Sequence, residues 1–291
     1  MRRAFYPDAI MRAMRYETLQ NARLPKIGFG TWTIGGEKSA DLAKEAQSLA
    51  ALRSALDLGY VHFDTAEYYA AGHAEELLGQ AIRASGVARE ALFITSKVSP
   101  EHLSYEGVLR SCDGSLRRLG LESLNLYLIH WPNAEIDLSE TFRALNYLVA
   151  NRKVRHVGVS NFNLKLLKQA VALSETGIFT NQVSYSLPDR TAVKNGVLEY
   201  CQKNEILLTA YSPVKRRSIK GNKALQALAQ ARGVTPQQIA LAWLVQQPRV
   251  IAIPMSFNPQ HQAENLAAAE IVLTEAELAQ LEQSVTRGKP A

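Results

Sequence analysis

Cysteine is almost missing from this chain: Cys112 and Cys201 are the only two in 291 residues. Both fall in stretches of helical periodicity, with no CxxC spacing and no partner cluster. That argues against a disulfide framework, and no metal is expected; two thiols in a reducing cytoplasmic setting fit the pattern. Long apolar runs are missing as well. No window approaches ~18 uninterrupted apolar residues, so no spanning helix and no membrane partner are expected. Arg2-Arg3 has the look of an export signal, yet the first fifteen residues lack an apolar core segment and a small-residue cleavage site. The expectation is a disordered or loosely docked leader over residues 1–15, with Met14 as an alternative start, ahead of a single domain over 16–291. Glycine-rich nucleotide signatures are also missing. Gly28-Phe29-Gly30-Thr31-Trp32-Thr33-Ile34-Gly35-Gly36 does not give GxGxxG, and there is no GxxxxGK[ST].

What is present is an ordinary globular composition, 47% hydrophobic and 21% charged, with a formal net charge of +6. The positive balance suits an anionic small-molecule ligand and equally an ordinary solvated surface. Basic residues are scattered apart from Lys215-Arg216-Arg217 and Lys220. No basic stripe is interleaved with aromatics, so nucleic acid is not an expected partner.

From about residue 27, short apolar runs alternate with amphipathic stretches. Strands are expected at Ile27–Gly30, Tyr60–Phe63, Leu92–Ser96, Leu124–Ile129, Val154–Val159, Phe179–Val183, Leu207–Ala210 and Val250–Ile253. Several are apolar at consecutive positions, as strands buried on both faces should be. Helices are expected at Ala43–Leu58, Ala74–Ala84, Tyr105–Leu119, Leu138–Asn151, Leu164–Glu175, Thr191–Lys203, Ala224–Ala231 and Pro236–Gln246. Thr235 reads as an N-cap before Pro236, and Gly59, Gly120, Gly177 and Gly233 sit where helix C-caps would fall. Eight strand–helix units in about 250 residues predict an α/β fold of the (β/α)8 TIM-barrel type. A hairpin from Glu17–Leu19 and Leu24–Ile27 would cap its bottom, and a C-terminal helical extension would follow the last unit. An open doubly wound sheet is the competing architecture, but the missing glycine-rich turn disfavours it.

Three apolar runs end in polar groups: Asp64 after His62-Phe63, Lys97 after Phe93–Ser96, and His130 after Leu126–Ile129, with Tyr69 shortly beyond Asp64. Thirty-three residues separate Asp64 from Lys97, and thirty-three separate Lys97 from His130. That is about one βα unit each, so the three would stand side by side at the C-terminal mouth of a barrel. Taken singly, each has a plainer structural reading: a buried ion pair, a satisfied core histidine, a rim tyrosine. Together they suit protonation of a carbonyl oxygen. A free phenol has a pKa near ~10, and a neighbouring ammonium would lower it. Lys97 would supply the ammonium, Asp64 would hold it charged, and His130 would donate to the carbonyl oxygen.

At these residues the chain resembles the aldo-keto reductase family, as a bacterial-type member with short loops. The segments that carry the likeness are Gly28-Phe29-Gly30-Thr31-Trp32, Asp64-Thr65-Ala66 with Tyr69, Ser96-Lys97, His130-Trp131-Pro132, Gly158–Phe162, Asn181-Gln182-Val183 and Ala210-Tyr211-Ser212-Pro213. They run in order from about Leu19 to about Leu281. The resemblance implies reduction of small aldehydes and ketones with a nicotinamide cofactor. It makes Tyr69 the general acid, tuned by Asp64 and Lys97, with His130 positioning the carbonyl. It implies that Ser160, Asn161 and Gln182 hold the nicotinamide carboxamide and that Tyr211 stacks on its ring. Ser212 would approach the pyrophosphate, and Gly30, Thr31 and Trp32 would form a loop beside cofactor and substrate. Trp32 and Trp131 would shape the substrate pocket, while Ser256, His261, Glu264 and Asn265 would line the adenosine site.

The chain departs from the family at two positions. Members that prefer the phosphorylated cofactor place lysine where this chain has Met255 and arginine where it has His261. Each charge-assisted phosphate contact is worth roughly 1.5–3 kcal/mol. The expectation is therefore NADP(H) use with reduced discrimination against NAD(H), unless Lys215-Arg216-Arg217 substitutes. Only Asn133–Asp137 intervenes between Pro132 and the next helix, and short loops imply an open mouth for small carbonyls. A monomeric cytoplasmic enzyme is expected. The alternative is a nucleotide-binding regulatory subunit with vestigial catalysis; a further rival would use Lys97 as a Schiff-base amine.

Overall fold

The computed structural model describes residues 15–214 and 216–286. The leader expected over residues 1–15 lies outside the described residues but for Arg15, as do Lys215 and the side chains of Arg216 and Arg217.

Among the described residues, ten strands form two sheets. β1 (Tyr16–Leu19) and β2 (Ala22–Pro25) make an antiparallel hairpin. Its two-residue loop, Gln20-Asn21, has both φ positive, at 46° and 61°, as a type I′ hairpin requires. The other eight are parallel: β3 (Phe29–Gly30), β4 (His62–Asp64), β5 (Phe93–Val98), β6 (Leu124–Ile129), β7 (Val154–Ser160), β8 (Thr180–Ser184), β9 (Leu207–Tyr211) and β10 (Val250–Ala252). They pair in sequence order, and the first meets the last: Ile27 bridges Ala252 in parallel, and the Gly28 N–H donates to Ala252 O at 2.8 Å. The sheet is thus a closed (β/α)8 barrel, with no exposed edge. Every expected strand is present within about two residues of its expected bounds.

The hairpin covers the N-terminal end of this barrel. Leu19 and Leu24 pack on the inward side chains Phe93, Leu126, Leu128, Phe179, Leu207 and Ile251. Lys26, almost fully buried, closes the floor through Glu17 (2.5 Å), Gln247 O (2.9 Å) and Val250 O (3.2 Å). Burial lowers its pKa, against the pull of Glu17.

The helices cover the outer face: α1 (Glu45–Asp57), α2 (His73–Ser85), α3 (Tyr105–Leu119), α4 (Leu138–Ala150), α5 (Leu164–Leu173), α6 (Thr191–Lys194), α7 (Val197–Lys203), α8 (Arg216–Gly221), α9 (Lys223–Arg232), α10 (Pro236–Val245), α11 (Pro259–Ala267) and α12 (Glu275–Thr286). Thr235 caps α10 in a full capping box with Gln238. Gly120 and Gly233 are left-handed caps as expected, and so is Gly86, which the sequence reading passed over. Two expectations need correction. Gly177 is not a helix cap: α5 stops at Leu173, capped by Ser174, and Gly177 (φ 76°) lies in the turn toward β8. The helix expected over Thr191–Lys203 is broken in two, because Gly196 sits at φ 76° between α6 and α7. No helix among the described residues is long and apolar enough to cross a membrane.

Candidate active site

The parallel strands all point toward one mouth, and the groups expected from the sequence meet there. Asp64 ends β4, Lys97 lies next to the end of β5, and His130 directly follows β6. Since β4, β5 and β6 are neighbours in the sheet, the three side chains stand in adjacent staves. Tyr69 opens the turn after β4. Ala70, Ala71 and Gly72 follow with φ of 51°, 55° and 92°, and the Ala70 N–H donates to Glu37 O at 2.7 Å. Consecutive left-handed alanines are costly; here they bring Tyr69 back over the barrel axis.

Lys97 is fully buried and bonded three ways. Its Nζ donates to Asp64 Oδ1 at 2.5 Å, to Thr65 O at 2.8 Å and to Tyr69 OH at 3.1 Å. Three acceptors use all three protons of an ammonium. Burial works against the charge, but Asp64 and Tyr69 outweigh it, and the Lys97 pKa lies above its ordinary value. A Schiff-base lysine needs a neutral amine facing its substrate, so that rival is set aside. The second oxygen of Asp64 accepts from Gln182 Nε2 at 2.8 Å.

The phenol oxygen of Tyr69 accepts from Lys97, which leaves its own O–H to donate elsewhere. Lys97 does pull the Tyr69 pKa down as expected, but it is not the larger effect. Burial raises it, the Lys97 charge opposes, and the net shift is upward. Desolvation penalises the phenolate more than one already-paired ammonium can repay. The His130 ring stands edge-on to Tyr69 (centroids 5.5 Å apart) and to Tyr68 (6.0 Å). Burial, with the Lys97 charge second, pushes the His130 pKa down to about 3. His130 is therefore a neutral imidazole with one N–H donor.

Above these groups opens a cleft of about 770 Å³, in the upper part of the range for ligand sites. Every sequence-predicted site residue lines it except Lys97, which lies buried beneath. Gly30, Thr31 and Trp32 come from the end of β3 and the loop after it; Asp64 and Tyr69 from β4; His130 and Trp131 from β6. Ser160 and Asn161 come from β7, Gln182 from β8, and Tyr211 and Ser212 from β9. Ser256, His261, Glu264 and Asn265 complete the wall after β10, with Met255 beside them.

One end of the cleft suits an amide-bearing ring. The Tyr211 hydroxyl donates to Asn161 Oδ1 at 2.9 Å, which anchors the half-buried ring. Asn161 Nδ2 donates to His130 O at 3.1 Å, and Ser160 Oγ donates to Gln182 O at 2.9 Å. The Gln182 amide oxygen takes no bond among the described residues. Gly30 keeps the floor clear, since a Cβ there would come within 2.8 Å of Ile253 O. An aromatic face, hydroxyls and an open amide acceptor fit a nicotinamide. At the far end, Ser256 Oγ lies 3.5 Å from His261 Nδ1, and Thr33 Oγ1 lies 4.0 Å from Met255 Sδ. Among the described residues, no lysine or arginine lines that end. Lining residues that no part of the sequence pattern placed at the cleft include Tyr68, Pro100, Glu101, Val214, Thr235 and Gln237. Tyr68 adjoins Tyr69 just beyond a strand end; the others sit on connecting turns or at the start of α10, where the Thr235 cap signal gives the helix but not its place at the cleft.

Comparison with known proteins agrees with this geometry. Residues 26–286 match the family model described as the Aldo/keto reductase family. Methylglyoxal reductase YeaE of Escherichia coli is 35% identical over 276 residues, covering 92% of this chain and 94% of that protein. Glyoxal reductase of Bacillus subtilis is 34% identical over 255 residues, covering 88% and 87%. Among solved structures, a thermostable aldo-keto reductase in complex with the inhibitor epalrestat matches with a TM-score of 0.89 at 42% identity, over 93% of this chain and 100% of that one. An aldo/keto reductase from Klebsiella pneumoniae in complex with NADP and acetate matches with a TM-score of 0.83 at 38% identity, over 93% and 94%. A match of this extent, over a closed barrel with these groups at its mouth, shows that the chain belongs to the aldo/keto reductase family.

Proposed function

We propose that the protein reduces small aldehydes and ketones to alcohols, using NADP(H) with weak discrimination against NAD(H). The observation that carries the reading is the fully bonded Lys97 ammonium, which leaves the Tyr69 proton as the one aimed at the cleft. The reduced nicotinamide supplies the hydride when bound, and Ser160, Asn161, Gln182 and Tyr211 would hold it. Tyr69 gives its proton to the carbonyl oxygen as that oxygen gains charge. Lys97, kept charged by Asp64, stabilises the phenolate that remains until solvent reprotonates it. Neutral His130 donates an N–H to the same oxygen and fixes its position. The exposed rings of Trp32 and Trp131 border the substrate side. The names of the relatives, methylglyoxal reductase and glyoxal reductase, favour small reactive carbonyls over bulky ones. The reading is of a cytoplasmic monomer in which residues 16–291 act as one unit, without nucleic-acid or membrane partners.

Tyr69→Phe tests the assigned acid. Turnover of methylglyoxal is expected to fall by about 10²–10⁴, with NADPH binding retained by fluorescence titration. Near-normal turnover would refute the assignment. Cofactor choice is tested by Kd for NADPH and NADH. With Met255 and His261 at the phosphate end, the two constants are expected to lie within about tenfold; a hundredfold preference for NADPH counts against relaxed use.

A further inference from the structure

The cleft has two unlike sides. Its nucleotide side carries hydroxyls, amides, His261 and the Glu264 carboxylate, whereas the side above Tyr69 and His130 is walled by aromatic faces with the Glu101 carboxylate among them. Glu101 lies in the single-turn helix Pro100–His102 that follows β5. Because β5 stands between β4 and β6, this turn sits between the loop bearing Tyr68 and the segment bearing Trp131. Tyr68 and Trp131 are 39% and 49% exposed, high values for rings of that size. Trp32 stacks on Tyr68, with centroids 6.3 Å apart and planes 8° apart.

The turn is tied down on both flanks. Glu67 Oε1 accepts from the Ser99 N–H at 2.7 Å, and Asn133 Nδ2 donates to Pro100 O at 2.9 Å. The adjacent His102 is engaged elsewhere, with Glu67 Oε1 at 3.0 Å from its Nδ1. Glu101 itself has no ion-pair partner among the described residues, and the Lys97 ammonium beneath the cleft is matched by Asp64. The turn therefore presents the Glu101 carboxylate beside exposed π-faces, with no cation paired to it among the described residues.

We propose that Glu101 selects substrates by charge, favouring carbonyl compounds that carry an ammonium group and disfavouring those that carry a carboxylate. The proposal rests on the reductase reading above and narrows its substrate class. A unit charge about 7 Å from a carboxylate in a half-solvated cleft changes affinity by roughly two- to eightfold in either direction. The faces of Tyr68 and Trp131 add a cation–π contribution that a carboxylate cannot collect. Neutral small carbonyls feel neither effect.

Three para-substituted benzaldehydes separate the possibilities: the 4-trimethylammonio, 4-nitro and 4-carboxy compounds, assayed with the wild-type protein, Glu101→Gln and Glu101→Lys. The readout is the ratio of kcat/KM for the cationic to the anionic aldehyde, with the nitro compound as reference. Glu101→Gln is expected to lower that ratio about tenfold and Glu101→Lys to lower it further, both effects shrinking at about 0.5 M salt. A ratio that stays within about twofold across the three proteins overturns the assignment. A merely structural role would move all three aldehydes together and leave the ratio in place, which overturns it equally. Failure of the wild-type protein to reduce any of the three would overturn the reductase reading, and this assignment with it. Turnover with an unmoved ratio overturns the assignment alone.

Discussion

At Tyr69 the chemistry depends on a proton that burial keeps in place. The phenol's pKa lies above its ordinary value and that of His130 falls to about 3, so neither group changes charge near neutral pH. The expected consequence is a flat profile: kcat/KM for carbonyl reduction should stay level from about pH 6 to 9. The reverse oxidation of an alcohol needs the phenolate and should rise across the same range. A limb near pH 6.5 in the reduction profile would mean that His130 titrates at its ordinary value. Asp64, Lys97 and His130 were legible because they stand at or next to strand ends at a regular interval, and Tyr69 because it follows Asp64 closely. The direction of the Tyr69 shift was not. A sequence shows which charges are near one another but not how much water is removed from them, and here desolvation is the larger effect. Nor was the bond from Gln182 to Asp64 legible, since it joins residues 118 positions apart.

Elements were recovered where local signals agree and lost where they compete. The barrel strands were found because consecutive apolar residues buried on both faces leave few other readings. The α10 start was found from Thr235-Pro236. Asn258-Pro259 carries the same kind of signal, and Asn258 does accept from Gln260 N at the start of α11, but that segment was read only for its cofactor contacts. One element contact gives a sharp test. Gly28, just before β3, faces His62 on β4, and a Cβ there would lie 2.5 Å from His62 Nδ1. His62 is itself 1% exposed, stacked edge-on against Phe93 at 5.4 Å and bonded to Thr95 Oγ1 at 3.2 Å, so it cannot step aside. Gly28→Ala is expected to destabilise the fold by about 1–3 kcal/mol, read as a lower urea midpoint. An unchanged midpoint would show that the ring can move.

On the scale of the whole barrel, two interior imidazoles make stability depend on pH. Burial pushes His62 down to about 4 and His130 to about 3. In the unfolded chain both titrate near 6.5. As pH falls below that value the unfolded chain takes up protons that the folded chain does not, so stability is lost. The slope is at most about 1.4 kcal/mol per pH unit for each imidazole, and it flattens below the folded values. The urea midpoint is therefore expected to drop clearly between pH 7 and pH 5. A midpoint that is the same at both would show that the two rings protonate in the folded state as easily as in the unfolded one.

Sequence by itself determined the alternation of eight strands and their helices, the groups Asp64, Lys97 and His130 at successive strand ends with Tyr69 just beyond, and a methionine and a histidine at positions 255 and 261. These are local properties: apolar period, caps and residue identity all act within one βα unit. Tertiary structure alone decided what those groups have around them. Closure of β3 against β10 brings chain segments more than 200 residues apart to one mouth. It buries Lys97 so that all three of its protons are committed, and it sets Glu101 on the turn between the Tyr68 and Trp131 segments, with no ion-pair partner among the described residues. Burial, desolvation and pairing depend on neighbours in space, and only the closed barrel supplies them.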